Sequence, residues 1–112
     1  FGVNITELPP GAASALKHWH SHEDEFIYVL SGEAVLVTDD DEQVLGAGRC
    51  AGFPGGVEKG HYFVNRSAAP ATILEVGSRD DRDEGNYPDD DLHCKAGRYQ
   101  NVQFTRKDGT PV

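Results

Sequence analysis

Methionine is absent from this chain of 112 residues, tryptophan occurs once and cysteine twice. Cys50 and Cys94 lie too far apart for a CxxC pair or a repeated metal-type spacing, which excludes a zinc-ribbon reading. A disulfide in an oxidising compartment stays open, but free thiols in a cytoplasmic protein are the expectation. Basic residues are scarce as well: ten Lys and Arg face 19 Asp and Glu, a net charge of -9. That balance argues against a nucleic-acid backbone and against an anionic membrane surface as partners. No apolar run approaches the roughly 20 residues of a membrane-spanning helix, so a soluble chain is expected. No sustained 3.6-residue apolar period occurs, and neither does a P-loop, a GxGxxG before a helix or a GxSxG. With Phe1 first and no methionine, upstream residues, including a removed targeting segment, are allowed for.

What is present is a series of short apolar runs rich in β-branched and aromatic residues. They fall at Val3 to Leu8, Phe26 to Leu30, Ala34 to Thr38, Gln43 to Leu45, Cys50 to Phe53, Tyr62 to Asn65 and Thr72 to Val76. Between them stand Pro9-Pro10-Gly11, Ser31-Gly32, Asp39-Asp40-Asp41, Gly46-Ala47-Gly48, Pro54-Gly55-Gly56 and Ala69-Pro70, where Gly supplies positive φ and Pro presets φ at its own negative value. This alternation predicts an all-β sandwich or barrel of antiparallel strands up to about Ser78. The length is that of one domain, 1–112, with a barrel core of about 1–78 and an extension of about 79–112. The extension is polar and acidic, and Tyr87, Leu92, Tyr99, Val102 and Phe104 are its expected anchors, with Val102 to Thr105 adding an edge strand. A partly disordered tail is the alternative.

Residues 18 to 25 read "HWHSHEDE", three imidazoles and three carboxylates in eight positions. Alternation along a strand sends His18 and His20 to one face and Trp19 to the other. The turn-like Ser21 to Asp24 then predicts an antiparallel hairpin that returns Glu25 beside His20. A fourth ligand-type residue, His61, opens the run after a Gly-rich turn and shares its face with Phe63 and Asn65. Neutral imidazole and carboxylate are the usual ligands of Zn, Fe, Mn and Ni.

These residues resemble two motifs of the cupin superfamily. In the first, Gly11, His18, His20, Glu25 and Gly32 stand at the motif positions, except that Gly11 is one residue too far from His18. In the second, Gly48, Pro54, Gly56, His61 and Asn65 do, with four residues instead of two between Gly56 and His61. The resemblance implies a double-stranded β-helix, or jelly roll, with a C-terminal extension. It implies one divalent metal (Fe, Mn, Ni or Zn) held by His18, His20, Glu25 and His61, and turn or structural roles for Gly32, Gly48, Pro54 and Asn65. It also implies a homodimer and matches small bacterial cupins that carry a similar tail.

On the inner face, Ile27, Val29 and Phe63 are expected to line a small-molecule pocket around the ligands. Trp19 is expected to pack outward, on another sheet or a second subunit. His22, Glu23 and Asp24 are expected in solvent, with His22 as the substitute ligand should His18 point away. His93 and Cys94 lack ligand spacing, and the acidic runs Asp39 to Glu42 and Asp89 to Asp91 read as solvated turns, not calcium loops. Three functions stay open: a metal-dependent enzyme of dioxygenase or isomerase type in which Glu25 doubles as a base, a binding or sensing module for a small molecule or sugar, and a metal-free dimerising barrel.

Overall fold

A computed structural model describes residues 1–112, and the chain forms eleven strands and no helix. In chain order they are β1 (Gly2–Leu8), β2 (Trp19–His20), β3 (Glu25–Ser31), β4 (Glu33–Thr38), β5 (Glu42–Gly46), β6 (Cys50–Phe53), β7 (His61–Val64), β8 (Ala71–Gly77), β9 (Gly85–Asn86), β10 (His93–Cys94) and β11 (Phe104–Thr105). One sheet has the order β1-β8-β3-β6, a second β5-β4-β7, and a third β11-β10-β9-β2. All pairings are antiparallel. The first two sheets are the two walls of a jelly roll, as expected.

Strand alternation sets the walls. Along β3, Glu25, Ile27 and Val29 face inward while Phe26 and Tyr28 face out. The inner faces meet in a core of Leu8, Ile27, Val29, Ala34, Leu36, Phe63, Ala71 and Ile73. Burial of each larger member contributes about 1.5–3 kcal/mol. Only 16 of 112 residues are buried, so polar contacts must hold much of the rest. Asn65, fully buried, is one such contact: its amide donates to the carbonyls of Leu8 at 2.9 Å and Ala69 at 2.7 Å and shapes the turn before β8.

Gly32, the link between β3 and β4, has φ 72°, and a Cβ there would lie 2.5 Å from the Pro70 carbonyl oxygen. No other residue fits that turn.

Two expectations need correction. No hairpin joins β2 to β3: β2 pairs with β9, and β3 pairs with β6 and β8, so the chain crosses from the third sheet to the first between His20 and Glu25. The extension is held by short strand pairings and only in part by its expected anchors, of which Tyr87 and Leu92 are half-buried and Tyr99 is bonded to Glu23. Its β9 pairs with β2, and Val102 and Phe104 are exposed, while the buried residues of this segment are Asp83, Gly85 and Cys94. Phe104–Thr105 does form an edge strand, on β10. A lone polar run gives no periodicity from which such two-residue pairings can be read.

Candidate metal centre

The backbone at His18 bridges that at His61, with N–H to carbonyl bonds of 3.2 and 2.9 Å in the two directions, while His20 pairs with Gly85 on β9. The short segment 18–20 is thus stapled between β7 and β9, and both histidines turn toward the first residue of β3. The loop between β6 and β7 clamps it from the other side: Gly56 N–H donates to the His20 carbonyl at 2.9 Å, and Gly55 N–H to Asp24 Oδ1 at 2.8 Å. A Cβ on Gly55 would lie 2.4 Å from the His22 carbonyl, so only glycine allows the approach.

The result is convergence on one atom. Glu25 Oε1 lies 3.7 Å from His18 Nε2, 3.1 Å from His20 Nε2 and 3.0 Å from His61 Nε2. His18 Nδ1 donates to the Leu16 carbonyl at 2.7 Å, and His20 Nδ1 to Asp83 Oδ2 at 2.7 Å. A carbonyl and a carboxylate can only accept, so Nδ1 carries the proton in each neutral ring and Nε2 is a bare lone pair. Lone pairs facing a carboxylate oxygen repel unless a cation stands among them. Phe53 stacks on His61 at 3.8 Å between centroids and 7° between planes, fixing the third ring. The Nδ1 bonds of His18 and His20 are of the kind that raise ligand basicity and metal affinity. His18, His20 and Glu25 lie close enough to share one ion, and with His61 facing the same carboxylate oxygen the set has the chemistry of a divalent transition-metal site.

Electrostatics point the same way. Burial pushes the Glu25 carboxyl up, but the imidazoles of His18, His20 and His61 around it, which bond it when they carry positive charge, outweigh burial and hold the group far below the ordinary carboxylate range. For His20, burial opposes the charged form, yet Glu25 and Asp83 together raise it above its usual value.

A second polar layer was not expected. Glu23, assigned from sequence to solvent, is only 3% exposed, and Asp83 only 1%. Asp83 accepts from the backbone N–H groups of His22 and Glu23 at 2.9 Å each and from Arg98 at 2.9 Å. Burial pushes its carboxyl up, but the His20 bond and these two N–H groups bring it below its usual range. Glu23 pairs with Arg98 and accepts from the Tyr99 hydroxyl at 2.5 Å and the Asp80 N–H at 3.0 Å. His20, Glu23 and Asp83 also cluster closely enough to hold a cation. The Arg98 guanidinium already fills that role, so the cluster supports the centre and is no second one.

His22 and Asp24 are exposed as expected, and no substitution for His18 is called for. Trp19 lines a hollow with Asn86, Tyr87, Pro88, Leu92, His93 and Lys107, and it also borders a cavity of about 190 Å³ that reaches His20, Glu25 and His61. His93 is bonded to Glu84 at 2.9 Å, away from the centre, and both cysteines are free. Of the three expected pocket residues, Ile27 and Phe63 line a cavity of about 160 Å³ that reaches His18, Glu25 and His61. Val29 has no exposed surface and is core. Glu75, overlooked in the sequence, lines that cavity and a second of about 250 Å³ that reaches His20 and Glu25. Only its inward parity on β8, shared with Ile73, could have revealed it.

A jelly roll with three histidines and a glutamate converging inside is the architecture of a cupin, and comparison with known proteins agrees. The cupin domain family matches residues 4–77. The chain belongs to the cupin superfamily. It is similar to a crystal structure described as a sugar phosphate isomerase of that superfamily from Silicibacter pomeroyi, at 47% identity over 99% of this chain and 70% of that one, with a TM-score of 0.93. It is also similar to a proposed sugar phosphate isomerase from Acidithiobacillus ferrooxidans, at 26% identity over 99% of this chain and 70% of that one, TM-score 0.87. A salicylate 1,2-dioxygenase from Pseudaminobacter salicylatoxidans matches at 26% identity over 67% of this chain and 20% of its own, TM-score 0.57. No curated protein matches the chain.

Proposed function

We propose that this protein is a metal-dependent isomerase that interconverts the aldose and ketose forms of a small phosphorylated sugar. The observation that carries the reading is the likeness over 99% of the chain, extension included, to the structure described as a sugar phosphate isomerase. The dioxygenase likeness stops at 67%. In this reading the layer of Asp83, Glu23 and Arg98 belongs to the shared design and not to the barrel alone.

His18, His20, Glu25 and His61 would hold one divalent ion. When bound, that ion supplies Lewis-acid polarisation of the sugar carbonyl. With its carboxylate committed to the metal, Glu25 is a poor base, which departs from the role expected for it. Glu75 serves instead. It is the inward carboxylate that is neither a ligand nor ion-paired, and its one hydrogen bond, from Thr6 Oγ1 at 2.5 Å, leaves its second oxygen open to the cavity. It takes the proton from the carbon next to the carbonyl and returns it to the former carbonyl carbon. The remaining hydroxyl proton crosses between the two oxygens, so the step balances without an oxidant. The apolar walls, Ile27, Ile73 and Phe63, keep water from competing for that proton.

The test combines metal analysis with isotope exchange. Protein purified without chelator should carry about one divalent ion per chain, lost in His20→Ala and Glu25→Ala. Incubated in D2O with a panel of aldose phosphates, the parent should form ketose and incorporate deuterium beside the carbonyl. Glu75→Gln should slow both by roughly 10²–10⁴ while keeping its metal. Tight metal with neither interconversion nor exchange across the panel would overturn the isomerase reading in favour of a binding module. Equal metal content in the parent and both ligand variants would overturn the centre itself.

A further inference from the structure

The cavities at the metal centre differ in one respect: one of them holds a cation with no anionic partner. The cavity of about 250 Å³ runs from His20 and Glu25 past Glu75 to Arg79. Its other guanidinium, Arg98, is committed to Glu23 and Asp83. At the second cavity, lined by His20, Glu25 and His61 on another side, Lys59 is paired with Asp40. Arg79 pairs with no carboxylate. Its Cζ lies 5.0 Å from the Tyr99 ring centroid, and its guanidinium rests over Gly2, where a Cβ would come within 2.7 Å of Nη2. In a chain of net charge -9, this is positive charge held at a cavity wall with its donors free.

Two neutral donors stand beside it. The Asn4 amide lines the same cavity and makes no hydrogen bond within the chain. Ser78 Oγ accepts from the Asp24 N–H at 2.8 Å and keeps its own proton to give. The floor between this group and the metal ligands is bare because of register. Gly2, Gly77 and Glu25 occupy one row across β1, β8 and β3, so two inward positions in succession have no side chain. Gly2 and Glu25 are separated by two strand spacings, about 10 Å. Glu75 stands on the adjoining row with Asn4 and Ile27, one pleat repeat of about 6.8 Å along the strand.

We propose that Arg79, with Asn4 and Ser78, forms the subsite for a phosphate monoester, the end of the substrate remote from the metal. The inference rests on the reading of the substrate as a phosphorylated sugar, and it adds where the phosphate binds and what excludes an uncharged one. A planar guanidinium offers two parallel N–H donors to a phosphate, and each charge-assisted bond is about twice as strong as a neutral one. With its phosphate on Arg79, the sugar lies along the glycine row with its carbonyl end at Glu25 and its middle beside Glu75. A volume below the roughly 300 Å³ of a drug-sized site limits the ligand to a short one.

The experiment titrates inorganic phosphate into the metal-loaded protein at constant ionic strength, by calorimetry, against chloride as control. The parent should bind one phosphate, and Arg79→Gln should weaken it by about ten- to a hundred-fold. Metal-depleted His61→Ala should bind it as the parent does. Arg79→Lys, which keeps the charge and loses the fork, should fall between and guards against a folding defect in the glutamine variant. Equal affinity in the parent and Arg79→Gln would overturn the subsite, as would loss of binding in His61→Ala with Arg79→Gln unaffected, which places the anion on the metal. In the isomerase assay, Arg79→Gln should raise KM for the phosphorylated sugar and leave the unphosphorylated one unchanged. Phosphate binding that depends on Arg79 without any isomerase activity would sink the reading of the reaction and leave the subsite standing. Isomerisation with KM unchanged in Arg79→Gln would do the reverse.

Discussion

At the scale of single residues, the centre turns on His20. Its Nδ1 proton is spent on Asp83 at 2.7 Å, and its Nε2 faces Glu25 at 3.1 Å. Each group favours the charged form of the other, and the pH dependence follows from that. Glu25, its folded pKa depressed, contributes stability that is present above its ordinary 4.5 and lost as pH falls below it. His20, its folded pKa raised, contributes stability that is full below its ordinary 6.5 and lost as pH rises through the folded value. Chelated protein should therefore be most stable between about pH 4.5 and 6.5 and weaken above it. Metal-loaded protein should behave oppositely, because ligation needs neutral imidazole and tightens as pH rises. Thermal unfolding from pH 5 to 8, with and without EDTA, reads both slopes; parallel curves would show that no cation replaces the proton. The four candidate ligands were legible in the sequence because parity and two motifs converge on them. Asp83 was not, since one aspartate in an acidic run carries no mark of the histidine it will meet 63 residues away.

At the scale of elements, the seven long strands were legible within a residue or so, because each alternates against a buried face and is bounded by Gly or Pro. β2, β9, β10 and β11, with two residues each, are too short for any period and exist through tertiary pairing alone. What fastens them is polar. Arg98, between β10 and β11, bridges Glu23 before β3 and Asp83 before β9. Removing one partner of a buried ion pair strands the other. Arg98→Ala would leave two carboxylates, 3% and 1% exposed, without their cation. We expect it to destabilise the fold by about 3–5 kcal/mol, read as a lower urea midpoint with an unchanged slope. A loss under about 1 kcal/mol would mean that water replaces the guanidinium and that the extension is held elsewhere.

At the scale of the whole molecule, composition set the sign of the surface, but it gave no hint of where charge is missing. That depends on register. In the sheet β1-β8-β3-β6 the outward rows are Val3, Val76, Phe26, Gly52 and Ile5, Leu74, Tyr28, Cys50. Val3 is 53% exposed, Ile5 67%, Phe26 39% and the adjoining Leu30 43%. No carboxylate, lysine or arginine interrupts these rows, although the chain as a whole carries a charge of -9. Two copies repel over most of their surfaces and can approach where the charge is absent. We infer that a second copy of the chain covers this face. An isologous contact also suits it, since a two-fold axis sets each apolar row against its equivalent. The face lies on the outside of the wall whose inside bears Glu25 and Glu75, so pairing leaves the cavities open. The parent should sediment at about twice its 12.2 kDa, and Ile5→Glu should sediment as a monomer. Because Ile5 is mostly exposed within the chain, the variant should keep its fold and its metal, which circular dichroism and metal analysis check. A parent that is monomeric at hundred-micromolar concentration would rule the pairing out. An Ile5→Glu variant that stays dimeric would move the interface to another face, with the solvent-facing side of Trp19 as the next to test.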